Sequence, residues 1–189
     1  MIHVKPFKIF SFLLLGAISA CASPPIKLYT LGSPAIATGA LPISSSSTVV
    51  AVSRVAVPSY LDTVDITVRR GVLLDHSSEG RLASRFSIGA TDLITARLAQ
   101  RHLNLYVTSQ PLLEEYNYTL QININRFDIT EEGNGTLSAT WALIPKNQAI
   151  PVTRQSGNFT AHGPTATDDD TVKMGQNLLT QLADRITLP

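Results

Sequence analysis

Hydrophobic and polar positions alternate most cleanly between Tyr118 and Asn125. Tyr118, Leu120, Ile122 and Ile124 are interleaved with Thr119, Gln121, Asn123 and Asn125. A period of two places the apolar set on one face and the polar set on the other, as in a half-buried strand. The phase breaks at Arg126-Phe127-Asp128-Ile129, where a bulge would restore it. Glu131-Glu132-Gly133-Asn134-Gly135 supplies a turn with glycines able to take positive φ. Leu137, Ala139, Trp141 and Leu143 then alternate again, which makes a hairpin and places Trp141 in the core. A further alternating piece, Val152 to Phe159, follows Pro145-Lys146-Asn147 and extends the hairpin to an antiparallel meander.

Upstream, Lys27 to Leu31 reads as a short strand, and Val49 to Val57, rich in β-branched residues and closed by Pro58, as a buried one. Gly32 to Thr48, with its prolines and the serine run Ser44 to Ser47, reads as a loop. Ile66 to Arg70 alternates as a half-buried strand. Gly71 to Gly80 reads as a short extended piece, Val72-Leu73-Leu74, and then a polar turn. Leu103 to Thr108 is a short strand that ends before Pro111.

Two segments carry helical periodicity. Over Arg81 to His102, Leu82, Phe86, Gly89, Leu93 and Ala96 step by four and three onto one stripe. Gly89 is a weak point in a helix interior unless a close approach requires it. After Asp168-Asp169-Asp170, whose acidic groups suit a helix start, Val172, Gly175, Leu179, Leu182 and Ile186 form a second stripe. The pattern predicts an α+β fold, a mixed and mainly antiparallel sheet with two helices packed on one face, in a single domain.

The N-terminus changes where this domain is placed. Lys5 and Lys8 precede an apolar run, and Leu13-Leu14-Leu15-Gly16-Ala17-Ile18-Ser19-Ala20 leads into Cys21, the chain's one cysteine. A charged start, a short apolar run and small residues before a cut site make a secretory signal. The run is shorter than the ~20 residues a membrane span requires. A cysteine directly after the small residues resembles a bacterial lipobox. On this reading residues 1–20 are a signal peptide, Cys21 is the lipidated N-terminus, 21–27 form a short tether with Pro24-Pro25, and 28–189 form the folded domain. Two or more acyl chains anchor stably. Ala22 and Ser23, not Asp, follow the cysteine, which by analogy with enterobacterial sorting favours the periplasmic face of the outer membrane.

Charge then narrows the partners. Charged residues make up 15% of the chain and the net charge is +1, falling to −1 without Lys5 and Lys8. Neither value supports a nucleic-acid footprint. His76, His102 and His162 lie in no metal-ligand spacing, and acylation of the single cysteine leaves none for a metal site. Asp168 to Asp170 lacks the spacing of a calcium loop. Gly133-Asn134-Gly135 lacks that of a phosphate loop, and no Gly-x-Ser-x-Gly exists. The residues thus predict no catalytic site, metal or cofactor. Tyr60, in the turn Pro58 to Asp62, is open to either a partner-binding or a packing role.

Val57-Pro58-Ser59-Tyr60-Leu61-Asp62, with Ile66-Thr67-Val68-Arg69 after it, resembles the Pro-x-Tyr-Leu-Asp…Ile-x-x-Arg motif of the ABC-type transport auxiliary lipoproteins, the PqiC/YmbA family. Tyr29-Thr30-Leu31 after the lipobox, the Tyr118 strand ending in Arg-Phe-Asp, the Trp141 strand and the C-terminal helix are similar in order. A tryptophan often found near the start of that family's first helix is absent here, where Leu82 to Phe86 stand. The resemblance implies a non-enzymatic accessory subunit of an intermembrane lipid transport system, working with an MCE-domain protein and its membrane permease. It implies docking of the periplasm-spanning MCE assembly at the outer membrane, as a homo-oligomer, with phospholipid as the cargo class. Tyr60, Leu61 and Asp62 are the candidate partner-binding residues. A structural lipoprotein that assists assembly of an outer-membrane barrel, as LptE-type proteins do, is the alternative.

Overall fold

The alternating run at Tyr118 becomes one of the two longest strands of a computed structural model that describes residues 25–32, 47–111 and 115–189. The expected signal segment, Cys21, the first part of the expected tether and residues 33–46 of the stretch expected to be a loop lie outside the described residues. In chain order the elements are β1 (Lys27–Tyr29), β2 (Thr48–Val52), β3 (Asp65–Arg70), β4 (Leu73–Leu82), α1 (Phe86–Arg101), β5 (Leu105–Thr108), β6 (Tyr118–Ile129), β7 (Asn134–Pro145), β8 (Thr153–His162) and α2 (Asp168–Arg185).

β6, β7 and β8 form the expected meander. β6 pairs antiparallel with β7 from Tyr118 opposite Pro145 to Ile129 opposite Gly135, and β7 with β8 from Asn134 opposite His162 to Leu143 opposite Thr153. The register shifts between Ile124 and Arg126, one residue ahead of the predicted phase break. Phe127 thereby returns to the apolar side, opposite Leu137. β2 runs parallel to both β6 and β5, which gives a five-stranded sheet ordered β5-β2-β6-β7-β8. Its inner face carries Val50, Val52, Leu120, Ile122, Ile124, Leu137, Ala139 and Trp141, all buried. Trp141 stands in the core as its phase predicts, and its indole Nε1 donates to Gln155 Oε1 at 3.2 Å, so burial leaves its polar atom satisfied.

Both helices contribute to the same core. The α2 stripe is as read from the sequence: Val172, Gly175, Leu179, Leu182 and the capping Ile186 are all buried. Its N-cap is Thr167, whose hydroxyl oxygen accepts from the Asp170 amide at 3.2 Å. Asp168 to Asp170 fill the first turn, where negative charge meets the positive end of the helix dipole. The two helices are joined at their C-terminal ends. Arg97 grips Asp184 with two hydrogen bonds of 2.7 and 3.0 Å, and Arg101 donates to the carbonyls of Ala183 and Asp184 that end α2.

Three expectations need correction. The first helix begins at Phe86, not Arg81. The stretch expected to be a polar turn after Leu74 is strand through Leu82. Its reason is non-local: Gly80, Arg81 and Leu82 pair in parallel with Lys27, Leu28 and Tyr29, and Arg81 lies opposite Asp65. With the helix start moved, its buried face turns to Phe86, Ala90, Ile94 and Leu98, and Leu93 is only partly buried. The strands also form two sheets, the second being three-stranded with order β1-β4-β3. Gly89 does mark a close approach, of the segment after β1: a Cβ there would lie 3.1 Å from Leu31 Cβ.

Candidate partner-binding site

The Pro58–Asp62 segment is a tight turn leading from the β2 extension to β3. The Leu61 amide donates to the Pro58 carbonyl at 2.9 Å and the Asp62 amide to that of Ser59 at 3.3 Å. The three candidate residues separate by role. Leu61 is buried, beside a cavity of about 40 Å³ that it shares with Ile66, Phe86 and Phe127. Asp62 is engaged with α1, whose own N-cap residue, Arg85, makes no side-chain capping bond. Asp62 Oδ1 accepts from the Ser87 amide at 3.2 Å, and the Thr63 carbonyl accepts from the Phe86 amide at 3.0 Å. A remote loop therefore satisfies amides that the helix leaves open. Hydrogen bonding from Ser87, with the charges of Arg85 and Arg54, outweighs burial and holds the Asp62 carboxyl below its ordinary value. Tyr60 alone presents its side chain, 45% exposed.

The Ile-x-x-Arg and Arg-Phe-Asp segments meet in space. Arg69 Nε donates to Asp128 Oδ1 at 2.7 Å and Arg126 Nε to Oδ2 at 2.6 Å. Burial raises the Asp128 carboxyl, but the two guanidinium groups prevail and its pKa is lowered. This cluster fastens β3 to β6 and so holds the turn that carries Tyr60.

Sequence reading did not single out a second surface. On the outer, polar face of the five-stranded sheet a cleft of about 680 Å³ opens between Arg54 on one side and Arg154 on the other. Gln121, Asn123, Thr140 and Ala142 floor it. Ten of the thirteen lysine and arginine side chains among the described residues lie within 4.0 Å of a carboxylate; Arg54, Arg154 and Arg185 do not. The outward polar set of β6 was the only available sign of this surface, because β2 comes beside β6 through non-local pairing.

The histidines stay apart. His76 Nδ1 faces Asp65 at 3.7 Å, His102 caps α1, and His162 Nδ1 lies 3.1 Å from Asn134 Oδ1. Among the described residues no three His, Asp or Glu side chains converge as metal ligands, and no helix is long and apolar enough to cross a membrane.

With the geometry in place, the sequence matches the family described as ABC-type transport auxiliary lipoprotein component over residues 29–187. The chain belongs to that family. The match runs from Tyr29 in β1 to beyond the end of α2, so both sheets and both helices are family elements. The family is an auxiliary lipoprotein component of transport and not a class of enzymes. No curated protein is similar in sequence. Among solved structures, a crystallised uncharacterised protein is similar at TM-score 0.69 and 19% identity, covering 85% of this chain and 95% of its own. A Xanthomonas campestris protein of family DUF330 is similar at TM-score 0.57 and 14% identity, covering 72% and 79% respectively. At these identities the two likenesses bear on the fold, which they share with this member of the transport-auxiliary family.

Proposed function

We propose that this protein is a non-enzymatic subunit of an MCE/ABC-type intermembrane lipid transport system, held by acylated Cys21 at the periplasmic face of the outer membrane. There it docks the periplasm-spanning MCE assembly, as a homo-oligomer. The observation that carries this reading is the family match over residues 29–187 behind a lipobox-like segment. A family of transport auxiliaries supplies the system, and the lipobox supplies the membrane. Tyr60 is the contact residue within the Tyr-Leu-Asp motif, because Leu61 is buried and Asp62 is spent on α1. Leu61 and Asp62 serve the contact by fixing the turn beneath it.

Affinity capture of the full-length protein from detergent-solubilised envelopes tests the reading. It predicts recovery of an MCE-domain protein, reduced at least several-fold by Tyr60→Ala with lipidation intact. Recovery of an outer-membrane barrel protein in place of an MCE protein would overturn it in favour of a barrel-assembly role.

A further inference from the structure

The β3–β4 hairpin turns at Gly71, which takes φ +60°, and the tip next carries Val72 and Leu73. Val72 is 93% exposed and Leu73 61%; no other large apolar side chain among the described residues is as open as Val72. The tip stands clear of the molecule, since a side chain built at Gly71 would meet nothing within 4 Å. The hairpin between β6 and β7 makes the choice expected in water, with Glu131, Glu132 and Gly133 in its turn. Two aliphatic residues at a free tip call for a different surrounding.

Chain direction indicates which one. β1 runs parallel to β4 with Lys27 opposite Gly80. Going back along β1 toward the N-terminus therefore heads from Leu82 toward Gly80, the direction in which Leu73 lies. β4 bulges between His76 and Arg81, so the span from its Gly80 end to the tip is set by β3, whose five steps from Asp65, opposite Arg81, to Arg70, opposite Leu73, cover about 17 Å at ~3.3 Å per residue. The six steps between Lys27 and Cys21 reach at most about 20 Å. The tether is long enough to bring the anchoring residue almost level with the tip. The charge beside the tip is compensated, Arg70 lying 3.2 Å from Asp75 and 2.8 Å from Glu131.

We propose that the Val72–Leu73 tip seats in the interface of the same bilayer that holds the lipid on Cys21, so that the domain stands on the membrane at two points. The inference rests on the lipoprotein reading above. It gives the domain an orientation, with the hairpin end against the lipid surface.

The test uses the mature lipidated protein in vesicles of phosphatidylethanolamine and phosphatidylglycerol. Acylation occupies the Cys21 sulfur, so Val72→Cys provides a unique thiol for the environment-sensitive dye NBD. Leu103→Cys, at a leucine 79% exposed after α1, is the reference. The dye at 72 is expected to brighten and shift to the blue on vesicles and to be quenched by acyl-brominated lipid, while the dye at 103 stays unchanged. Equal behaviour at the two positions would overturn the proposal. So would a blue shift at 72 that appears without vesicles as protein concentration rises, which would assign the tip to a second copy. Mass spectrometry of the same preparation separates the two claims: a lipid on Cys21 with a water-exposed dye at 72 refutes the hairpin contact alone, whereas an unacylated Cys21 refutes the reading beneath it.

Discussion

Arg69 on β3 and Asp128 on β6 are joined by a 2.7 Å hydrogen bond between Nε and Oδ1, across two different sheets. Asp128 is 7% exposed and takes a second guanidinium, from Arg126, on its other oxygen. A buried carboxylate in this setting is tolerable only while both lone-pair regions are engaged. Asp128→Asn keeps the shape but removes the charge from two arginines. It is expected to cost about 2–4 kcal/mol in urea unfolding. Arg126→Ala, which removes the more exposed partner, should cost about 1 kcal/mol or less. Equal midpoints for wild type and Asp128→Asn would show that the cluster does not hold the sheets together.

The same geometry fixes the sign of the acid response. Asp62 and Asp128 both have lowered pKa values. Each therefore adds stability that is complete above its unfolded value, about 4, and is lost as pH falls through the depressed folded value. Asp92, raised by burial, acts in the opposite sense and reduces stability as pH rises past its unfolded value. His102, lowered by burial and by Arg101, costs stability as pH falls below its unfolded value, about 6.5. The net expectation is a melting temperature nearly flat above neutrality that falls gently below pH of about 6.5 and more steeply below about 4. In Asp128→Asn that decline should be shallower. A decline of unchanged steepness would deny Asp128 its part.

The cap on α1 comes from a distant loop, so its loss can be measured on its own. Asp62→Ala should destabilise by about 1 kcal/mol, and Asp62→Asn, which keeps an acceptor oxygen, should recover most of it. Thermal unfolding of the two variants settles the point: equal losses would mean that Asp62 acts through charge alone and not as an acceptor for the Ser87 amide.

Leu179 has no exposed surface and lies on the α2 stripe. Leu179→Asp places an unpaired carboxylate in the core and should cost roughly 4 kcal/mol or more. Leu179→Met, nearly equal in volume, should cost under about 1.5 kcal/mol. An unchanged melting temperature for the aspartate variant would mean that this stripe does not face the core.

Local period made much of the fold readable. The β6–β7 hairpin could be read because Leu120, Ile122 and Ile124 alternate without interruption and a glycine turn follows. The α2 helix could be read because its stripe and acidic first turn agree. β4 could not, because Asp75 to Glu79 carry the polarity of a turn while lying in a small sheet with a wet face. Their pairing partners, Lys27 to Tyr29 and Asp65 to Arg70, are remote in sequence. That error moved the start of α1 and rotated its buried face. The motifs at Arg69 and Asp128 were visible singly, but their contact needed the topology. Tyr-Leu-Asp read as one partner-binding unit, and only the burial of Leu61 and the bond from the Ser87 amide to Asp62 set them apart from exposed Tyr60. The Arg54–Arg154 cleft depends on the parallel pairing of β2 with β6, which no local pattern encodes.

The account depends above all on a lipid at Cys21. Intact and peptide mass spectrometry of the protein taken from native envelopes tests this directly. The account predicts a chain beginning at Cys21, lacking residues 1–20 and carrying diacylglyceryl and amide-linked acyl mass, with Cys21→Ser left as an uncleaved precursor. A mature N-terminus free of lipid would contradict it.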